Sequence, residues 1–304
     1  MEKELLAKIK VLRSVAWEGL ADESTINSWL ENFNTPEDRR HALYLLSKFV
    51  YFGGIQVRAM LKSLYRDKYK IPLISRIRLD SGNSTDLAYI GTRYFDELKE
   101  TRFVGLGDAS ESGEHLLYFF RQENTLPKFV FMRDSEIISE TDPTGLKFPD
   151  VRRYIFIDDF CGSGRQGVEY AEKIVDEIKR KNPNIEICYY VLVGQDEGLQ
   201  KIRDNANFDQ VSAVYELDRS FRCFDDQSRL FRNPPVGTER DASKNMASLY
   251  GCKLVDNEHA LGYCDSQLLM GFQHNTPDNT LPIIWSSNAT RFPWSPIFKR
   301  YPKF

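Results

Sequence analysis

The chain has 304 residues, with 41 basic and 44 acidic side chains, 41% hydrophobic residues and 13% aromatic residues. This composition excludes a collagen, a coiled coil and a disordered chain, and a net charge of −3 is not that of a cationic nucleic-acid binder. The N-terminus has no continuous apolar run and the five cysteines form no C-x-x-C pair, so we expect a cytoplasmic protein with reduced thiols and no membrane partner.

Residues 1–70 are predicted to form a helical extension. Their apolar residues recur at the spacing of amphipathic helices. Thr35 is placed to accept hydrogen bonds from the first amides of one helix, and Pro36 suits the first helical position. The pair Gly53 and Gly54 predicts the end of that helix.

From residue 71 onward, short apolar runs alternate with helical patterns. The predicted strands cover 103–106, 129–132, 154–157, 187–193 and 211–217, and the predicted helices cover 115–122, 166–181 and 197–205. Nearly all-apolar strands that alternate with helices indicate a parallel sheet covered on both faces. The predicted fold class is therefore α/β, with a doubly wound, mostly parallel sheet in a domain of residues 71–304. After Arg219 that domain continues as an irregular C-terminal elaboration.

The turn after the third predicted strand carries the clearest chemical signal. Asp158 and Asp159 end an apolar strand, and small residues, Gly162 to Gly164, then lead into a helix. Small residues let backbone amides approach a phosphate, and a helix N-terminus adds positive partial charge. Two carboxylates at the carboxyl end of a strand are placed to accept hydrogen bonds from sugar hydroxyls or to hold Mg²⁺. The sequence therefore predicts a ribose-phosphate site.

This stretch resembles the diphosphate-sugar motif of the type I phosphoribosyltransferases, which is an apolar strand, two acids, a hydrophobic residue and a Thr/Ser-rich turn. The resemblance implies that Asp158 and Asp159 are the catalytic pair, engaging the ribose hydroxyls and holding Mg²⁺. It also implies a fold of the type I phosphoribosyltransferase kind. The implied phosphate-binding residues are Cys161, Gly162, Ser163, Gly164, Arg165 and Gln166.

Two features of the turn are set against this interpretation. Gly162 stands where the family commonly has Thr or Ala, and Gln166 stands where it normally has a phosphate-binding Thr. An acid pair followed by a glycine-rich turn also occurs in receiver domains and other doubly wound proteins. Receiver domains place the pair after their first strand, whereas two predicted strands precede it here.

A second loop of small residues follows the strand at 103–106. The resemblance implies that Gly107, Asp108, Ala109 and Ser110 cradle the pyrophosphate of the donor. The alternative is an ordinary helix-capping turn. The segment 134–150 occupies the place of the family's mobile hood, and a solvated connector is the alternative there.

Residues 261–285 resemble the tail of phosphoribosyltransferase-like proteins encoded in bacterial conflict and anti-phage loci, including retron systems. That resemblance implies a defence effector with an operon-encoded protein or RNA partner. Residues 275–280 are rich in turn formers and can join strands at 267–272 and 281–285 as a hairpin. The alternative is that Asn275, Thr276, Asn279 and Trp285 line an acceptor pocket, with Trp285 stacking on a base.

A stretch at 219–232 interleaves four arginines with three phenylalanines. Such a pattern suits single-stranded nucleic acid, since aromatic rings stack on bases and arginines follow phosphates. The alternative is a segment that packs its phenylalanines inward and keeps its charges outside.

The predicted function is that of a phosphoribosyltransferase-like protein that binds phosphoribosyl diphosphate or a nucleotide with Mg²⁺. If active in the family manner, it transfers or hydrolyses at the anomeric carbon. Two alternatives stay open: an inactive ribose-phosphate sensor or structural partner, and a nucleotide or NAD glycohydrolase.

Overall fold

A computed structural model describes residues 2–106, 112–139, 141–287 and 292–301. The chain divides into two compact units. One unit consists of Met1–Val57 with Leu217–Phe304, and the other of Arg58–Glu216. The first residues of the chain thus share a unit with the last ones. The division into a 1–70 extension and a 71–304 domain stays a prediction.

Strands form at seven places in the described ranges. They are β1 (Val50–Phe52), β2 (Thr101–Gly105), β3 (Phe131–Met132), β4 (Arg153–Cys161), β5 (Glu186–Gln195), β6 (Gln210–Leu217) and β7 (Met270–Phe272). Five of them form one sheet in the order β3-β2-β4-β5-β6, and the pairs β2–β3, β2–β4 and β4–β5 are parallel. Buried apolar residues fill the centre of β5, as expected for a sheet covered on both faces. The predicted α/β class with a mostly parallel sheet is confirmed.

Twelve α-helices form in the described ranges, and they are divided between the two units. They are α1 (Glu2–Val15), α2 (Glu23–Leu30), α3 (Pro36–Leu46), α4 (Gly54–Ser63), α5 (Ile71–Asp80), α6 (Leu87–Lys99), α7 (Ser112–Asn124), α8 (Arg165–Tyr170), α9 (Asp176–Lys181), α10 (Asp196–Asn205), α11 (Arg240–Leu254) and α12 (Pro282–Trp285). π-Helical turns, Leu64–Lys70 and Ala171–Val175, join α4 to α5 and α8 to α9. None of the helices in the described ranges has the length and apolar character needed to cross a membrane.

The start of α3 is as predicted, but its end is not. The Thr35 side chain accepts a hydrogen bond from the Asp38 amide at 3.0 Å, and Pro36 is the first helical residue. The helix ends at Leu46, and Gly53 separates β1 from α4. The glycines were misinterpreted because the three residues of β1 are too few to show a strand pattern in the sequence.

The predicted C-terminal hairpin is wrong. β7 pairs in parallel with β1, so that Met270 lies opposite Val50. Residues 282–285 form the short helix α12 instead of a strand, because Pro282 takes its first position.

The basic and aromatic stretch at 219–232 packs phenylalanines against the protein, as the second interpretation of its sequence predicts. Phe224 is buried, and Phe231 packs against the same core. The Arg229 guanidinium lies 3.5 Å from the centre of the Phe221 ring. These phenylalanines are therefore engaged within the protein.

Candidate functional site

The acid pair lies at the carboxyl end of β4, next to the point between β2 and β4 where the strand order reverses. From β2 the chain moves outward to β3, and from β4 it moves the other way through β5 to β6. Ligands of open α/β sheets bind at the carboxyl ends of the strands that flank such a point. β4 is longer than predicted and continues through Asp158 and Asp159, with Asp158 opposite Val191 on β5. The pair is thus fixed by strand pairing.

The carboxyl group of Asp158 is held from two sides. Its Oδ1 accepts a hydrogen bond from the Asp159 amide at 2.8 Å, and its Oδ2 accepts one from the Tyr189 hydroxyl at 2.8 Å. Burial raises the pKa of Asp158 well above its usual range, and the negative charge of Asp159 raises it further. A ligand that brings positive charge or hydrogen-bond donors to this pair would therefore stabilise its charged form.

Sequence reasoning missed Tyr189, which comes from the neighbouring strand. Its side chain is 1% exposed, and burial together with the charge of Asp158 raises its pKa. The contact depends on the register of β4 with β5, in which Phe156 lies opposite Tyr189. The signal in the sequence was a pair of tyrosines, Tyr189 and Tyr190, inside an otherwise apolar run.

Cys161 begins the predicted phosphate turn and is buried, whereas Asp158 and Asp159 are partly exposed. Burial raises the pKa of its thiol to about 12, and the negative charge of Asp158 contributes. A thiol with this pKa stays protonated at neutral pH and is a poor nucleophile. Any contribution of Cys161 to phosphate binding is therefore expected from its backbone.

The turn itself is shaped by glycine. Gly164 has a φ of 71°, in the left-handed region that favours glycine, and it caps α8. A Cβ on Gly164 would lie 2.3 Å from the Gly198 carbonyl oxygen, and a Cβ on Gly198 would lie 1.9 Å from the Gly162 carbonyl oxygen. The turn is therefore seated on the first turn of α10. Arg165 and Gln166 follow as exposed residues at the start of α8.

The loop after β2 begins beside the acid pair. The Leu106 amide donates a hydrogen bond to the Ile157 carbonyl at 3.0 Å. The chain therefore leaves β2 beside the residue of β4 that directly precedes Asp158. The predicted pyrophosphate-binding residues Gly107, Asp108, Ala109 and Ser110 lie outside the described residues. Their role stays a prediction.

The segment at 134–150 is anchored to the sheet unit. Ile137 and Leu146 are buried in its core, and Ile138 forms an antiparallel bridge with Leu146. The Tyr170 hydroxyl of α8 also donates to Asp134 at 3.1 Å. This segment therefore contacts the helix that follows the phosphate turn, while its role as a hood stays a prediction.

The proposed acceptor-pocket residues make structural hydrogen bonds within the other unit. Asn279 donates to the Ser266 hydroxyl at 2.7 Å, and the Trp285 indole donates to the Thr280 carbonyl at 2.7 Å. Asn275 accepts from the backbone amides of Thr276 and of Tyr301, each at 2.9 Å. These bonds explain the polar composition of this segment without a ligand.

Asp158 and Asp159 are the residues of this site that could hold a magnesium ion. Carboxylate oxygens are ligands that Mg²⁺ prefers, and it is usually held by one or two of them together with substrate phosphates. In the described ranges, no group of three or more His, Cys, Asp or Glu side chains is arranged to hold a metal. The pair therefore suits an ion that a phosphate ligand helps to coordinate.

Comparison with known proteins finds a matching family model and similar solved structures. The model of the PRTase-CE family matches residues 26–300, which is more than half of the chain. An orotate phosphoribosyltransferase structure from Aeropyrum pernix is 12% identical, with 41% of this chain and 72% of that chain covered and a TM-score of 0.24. A Helicobacter pylori xanthine-guanine-hypoxanthine phosphoribosyltransferase is 10% identical, with 55% and 88% covered and a TM-score of 0.27. TM-scores of this size add no support for a fold or a function. No curated protein matches the chain.

Proposed function

Because the chain belongs to the PRTase-CE family, we propose that it binds 5-phosphoribosyl diphosphate or a nucleotide, together with Mg²⁺, at the turn from Asp158 to Gln166. The observation that carries this proposal is the position of two adjacent carboxylates at the carboxyl end of β4, followed by a left-handed glycine that opens a helix. Acids there accept hydrogen bonds from ribose hydroxyls, and the amides of the turn face a phosphate.

The proposed roles follow from the donor and acceptor groups of the site. Asp158 and Asp159 orient the ribose and hold Mg²⁺, which neutralises charge on a diphosphate when it is bound. The N-terminal end of α8 carries positive partial charge, and the amides of the turn donate to the phosphate there. In the transfer reaction, the bond from the anomeric carbon to the diphosphate oxygen breaks, and a bond to the acceptor forms. The protein contributes positioning and electrostatic stabilisation.

Calorimetric titration of the full chain with 5-phosphoribosyl diphosphate and Mg²⁺ tests this proposal. We expect binding by the wild type and at least tenfold weaker binding by Asp158→Asn and by Asp159→Asn. The matched control is Asp80→Asn, which removes the same charge from an exposed residue at the end of α5 in the same unit. If the wild type binds neither 5-phosphoribosyl diphosphate nor any nucleotide, the proposed site is wrong.

A sensor that binds without chemistry is the second candidate. It is favoured by the two hydrogen bonds that already engage the Asp158 carboxyl group, and by Gln166 in place of a phosphate-binding threonine. Turnover separates the candidates, since an enzyme releases pyrophosphate or consumes the nucleotide and a sensor only binds it. Loss of NAD or nucleotides in expressing cells would instead favour a glycohydrolase.

The anti-phage role is proposed from the resemblance of residues 261–285 alone. We expect expression of the chain with its neighbouring genes to lower phage plating, and Asp158→Asn with Asp159→Asn to abolish the effect. Equal plating with and without the wild-type chain contradicts this role.

A further inference from the structure

The residue that braces the acid pair lies on the next strand. Tyr189 is in the middle of β5, 1% exposed, with its hydroxyl 2.8 Å from the Oδ2 of Asp158. Nothing in the motif of the pair itself contains this residue. We infer that Tyr189 is a positioning residue, which fixes the orientation of the Asp158 carboxyl group toward the ribose of the bound ligand. This inference rests on the proposed function.

The hydrogen bonds of the carboxyl group explain why one hydroxyl matters. The terminal torsion of an aspartate is broad, so an unbraced carboxyl group samples many orientations. The Asp159 amide binds Oδ1 and the Tyr189 hydroxyl binds Oδ2, so both oxygens are held and the torsion is fixed. A carboxylate has about four lone-pair sites, and about two of them remain for sugar hydroxyls or Mg²⁺. Fixing the group before the ligand arrives lowers the entropy cost of binding.

The next residue along the strand provides a matched control. Tyr190 is 3% exposed, and its hydroxyl lies 2.8 Å from the Lys68 carbonyl oxygen and from Oε1 of Gln210. Successive residues of a strand point to opposite faces of the sheet, so its hydroxyl is remote from Asp158. Changing either tyrosine to phenylalanine removes one buried hydroxyl from the same strand. Only one of the two changes removes a bond to the acid pair.

The test compares a ligand with ribose and a ligand without it. The full chain is titrated with 5-phosphoribosyl diphosphate and, separately, with inorganic pyrophosphate, each with Mg²⁺. We expect Tyr189→Phe to bind 5-phosphoribosyl diphosphate roughly tenfold more weakly, as for the loss of one hydrogen bond to a charged acceptor, and to bind pyrophosphate as the wild type does. Tyr190→Phe is expected to bind both ligands like the wild type, although it too loses a buried hydrogen bond.

The outcomes distinguish this inference from the proposed function. If the wild type binds neither ligand, the proposed function is wrong and the positioning role falls with it. If the wild type binds and Tyr189→Phe binds 5-phosphoribosyl diphosphate equally well, or Tyr190→Phe loses as much, only the positioning role is overturned. A general loss of folding is detected by circular dichroism. In that case Tyr189→Phe is titrated at a lower temperature, at which circular dichroism shows it folded, and an affinity for 5-phosphoribosyl diphosphate equal to that of the wild type overturns the positioning role.

Discussion

The contact between the phosphate turn and α10 makes Gly198 the most sensitive position of the site. A Cβ at this position would lie 1.9 Å from the Gly162 carbonyl oxygen and 3.0 Å from the Gly164 amide nitrogen. Both neighbours are backbone atoms, so no flexible side chain can move aside. Gly198→Ala therefore forces the turn or the helix to shift by about 1.5 Å to restore an ordinary contact.

The cost of this substitution follows from two opposing effects. Overpacking a tight contact costs about 1–3 kcal/mol, while alanine in a helix gains up to about 1 kcal/mol over glycine. We expect Gly198→Ala to lower the free energy of unfolding by about 1–2 kcal/mol. For a protein of this size, each kcal/mol corresponds to a fall in the melting temperature of about 2–4 °C. The displaced turn is expected to weaken 5-phosphoribosyl diphosphate binding at least tenfold.

The matched control is Gly91→Ala on α6, in the same compact unit. A Cβ at Gly91 meets nothing within 4 Å, so the substitution brings only the helix preference of alanine. Thermal denaturation and calorimetric titration are measured for both variants. We expect Gly91→Ala to be slightly more stable than the wild type and to bind equally well. If Gly198→Ala matches it in both measurements, the packing of the turn on α10 is wrong.

Three further predictions concern charge and burial in the sheet unit. Because burial raises the pKa of Asp158 in the folded state, the wild type loses stability as the pH rises from about 4 through that pKa, by about 1.4 kcal/mol for each unit of the shift. In urea unfolding, we expect Asp158→Asn to be more stable than the wild type at pH 8 and equally stable below about pH 4. Glu186→Gln removes the charged partner at 2.7 Å of the buried Arg153 and is expected to cost about 3 kcal/mol in urea unfolding, and a cost under 1 kcal/mol contradicts a structural ion pair. With a pKa of about 12, buried Cys161 should resist iodoacetamide at pH 8 while exposed Cys264 reacts, and rapid alkylation of Cys161 in the folded protein, detected by mass spectrometry, refutes this.

The sequence was sufficient for the central strands of the sheet because their signals are local. Apolar runs bounded by turn formers predict β2, β4 and β5 to within a few residues, and the acid pair was located by its place after a strand. The end of β4 was missed because Asp158 to Cys161 resembles a turn in sequence. These residues are extended because β5 pairs with them, with Cys161 opposite Gly194.

Local sequence patterns could not predict contacts between distant segments. The pairing of β7 with β1 joins Met270 to Val50, and no periodicity in either short segment predicts its partner. The bond from Tyr189 to Asp158 likewise depends on strand register. Such contacts arise from the tertiary structure, which overrides local preference in short strands.

The chemistry of Asp158 favours a binding role over a purely structural one. Burying a carboxyl group beside a second acid raises its pKa, and a group that must lose its charge or pay for desolvation does not stabilise the fold. A turn that only joined β4 to α8 would be served by a neutral side chain at this position, since the Asp159 amide and the Tyr189 hydroxyl need one acceptor each. A ligand that brings Mg²⁺ and ribose hydroxyls supplies positive charge and hydrogen-bond donors to the pair. Strongly shifted groups of this kind concentrate at functional sites, so the energetic cost of Asp158 is itself an argument for a ligand at the end of β4.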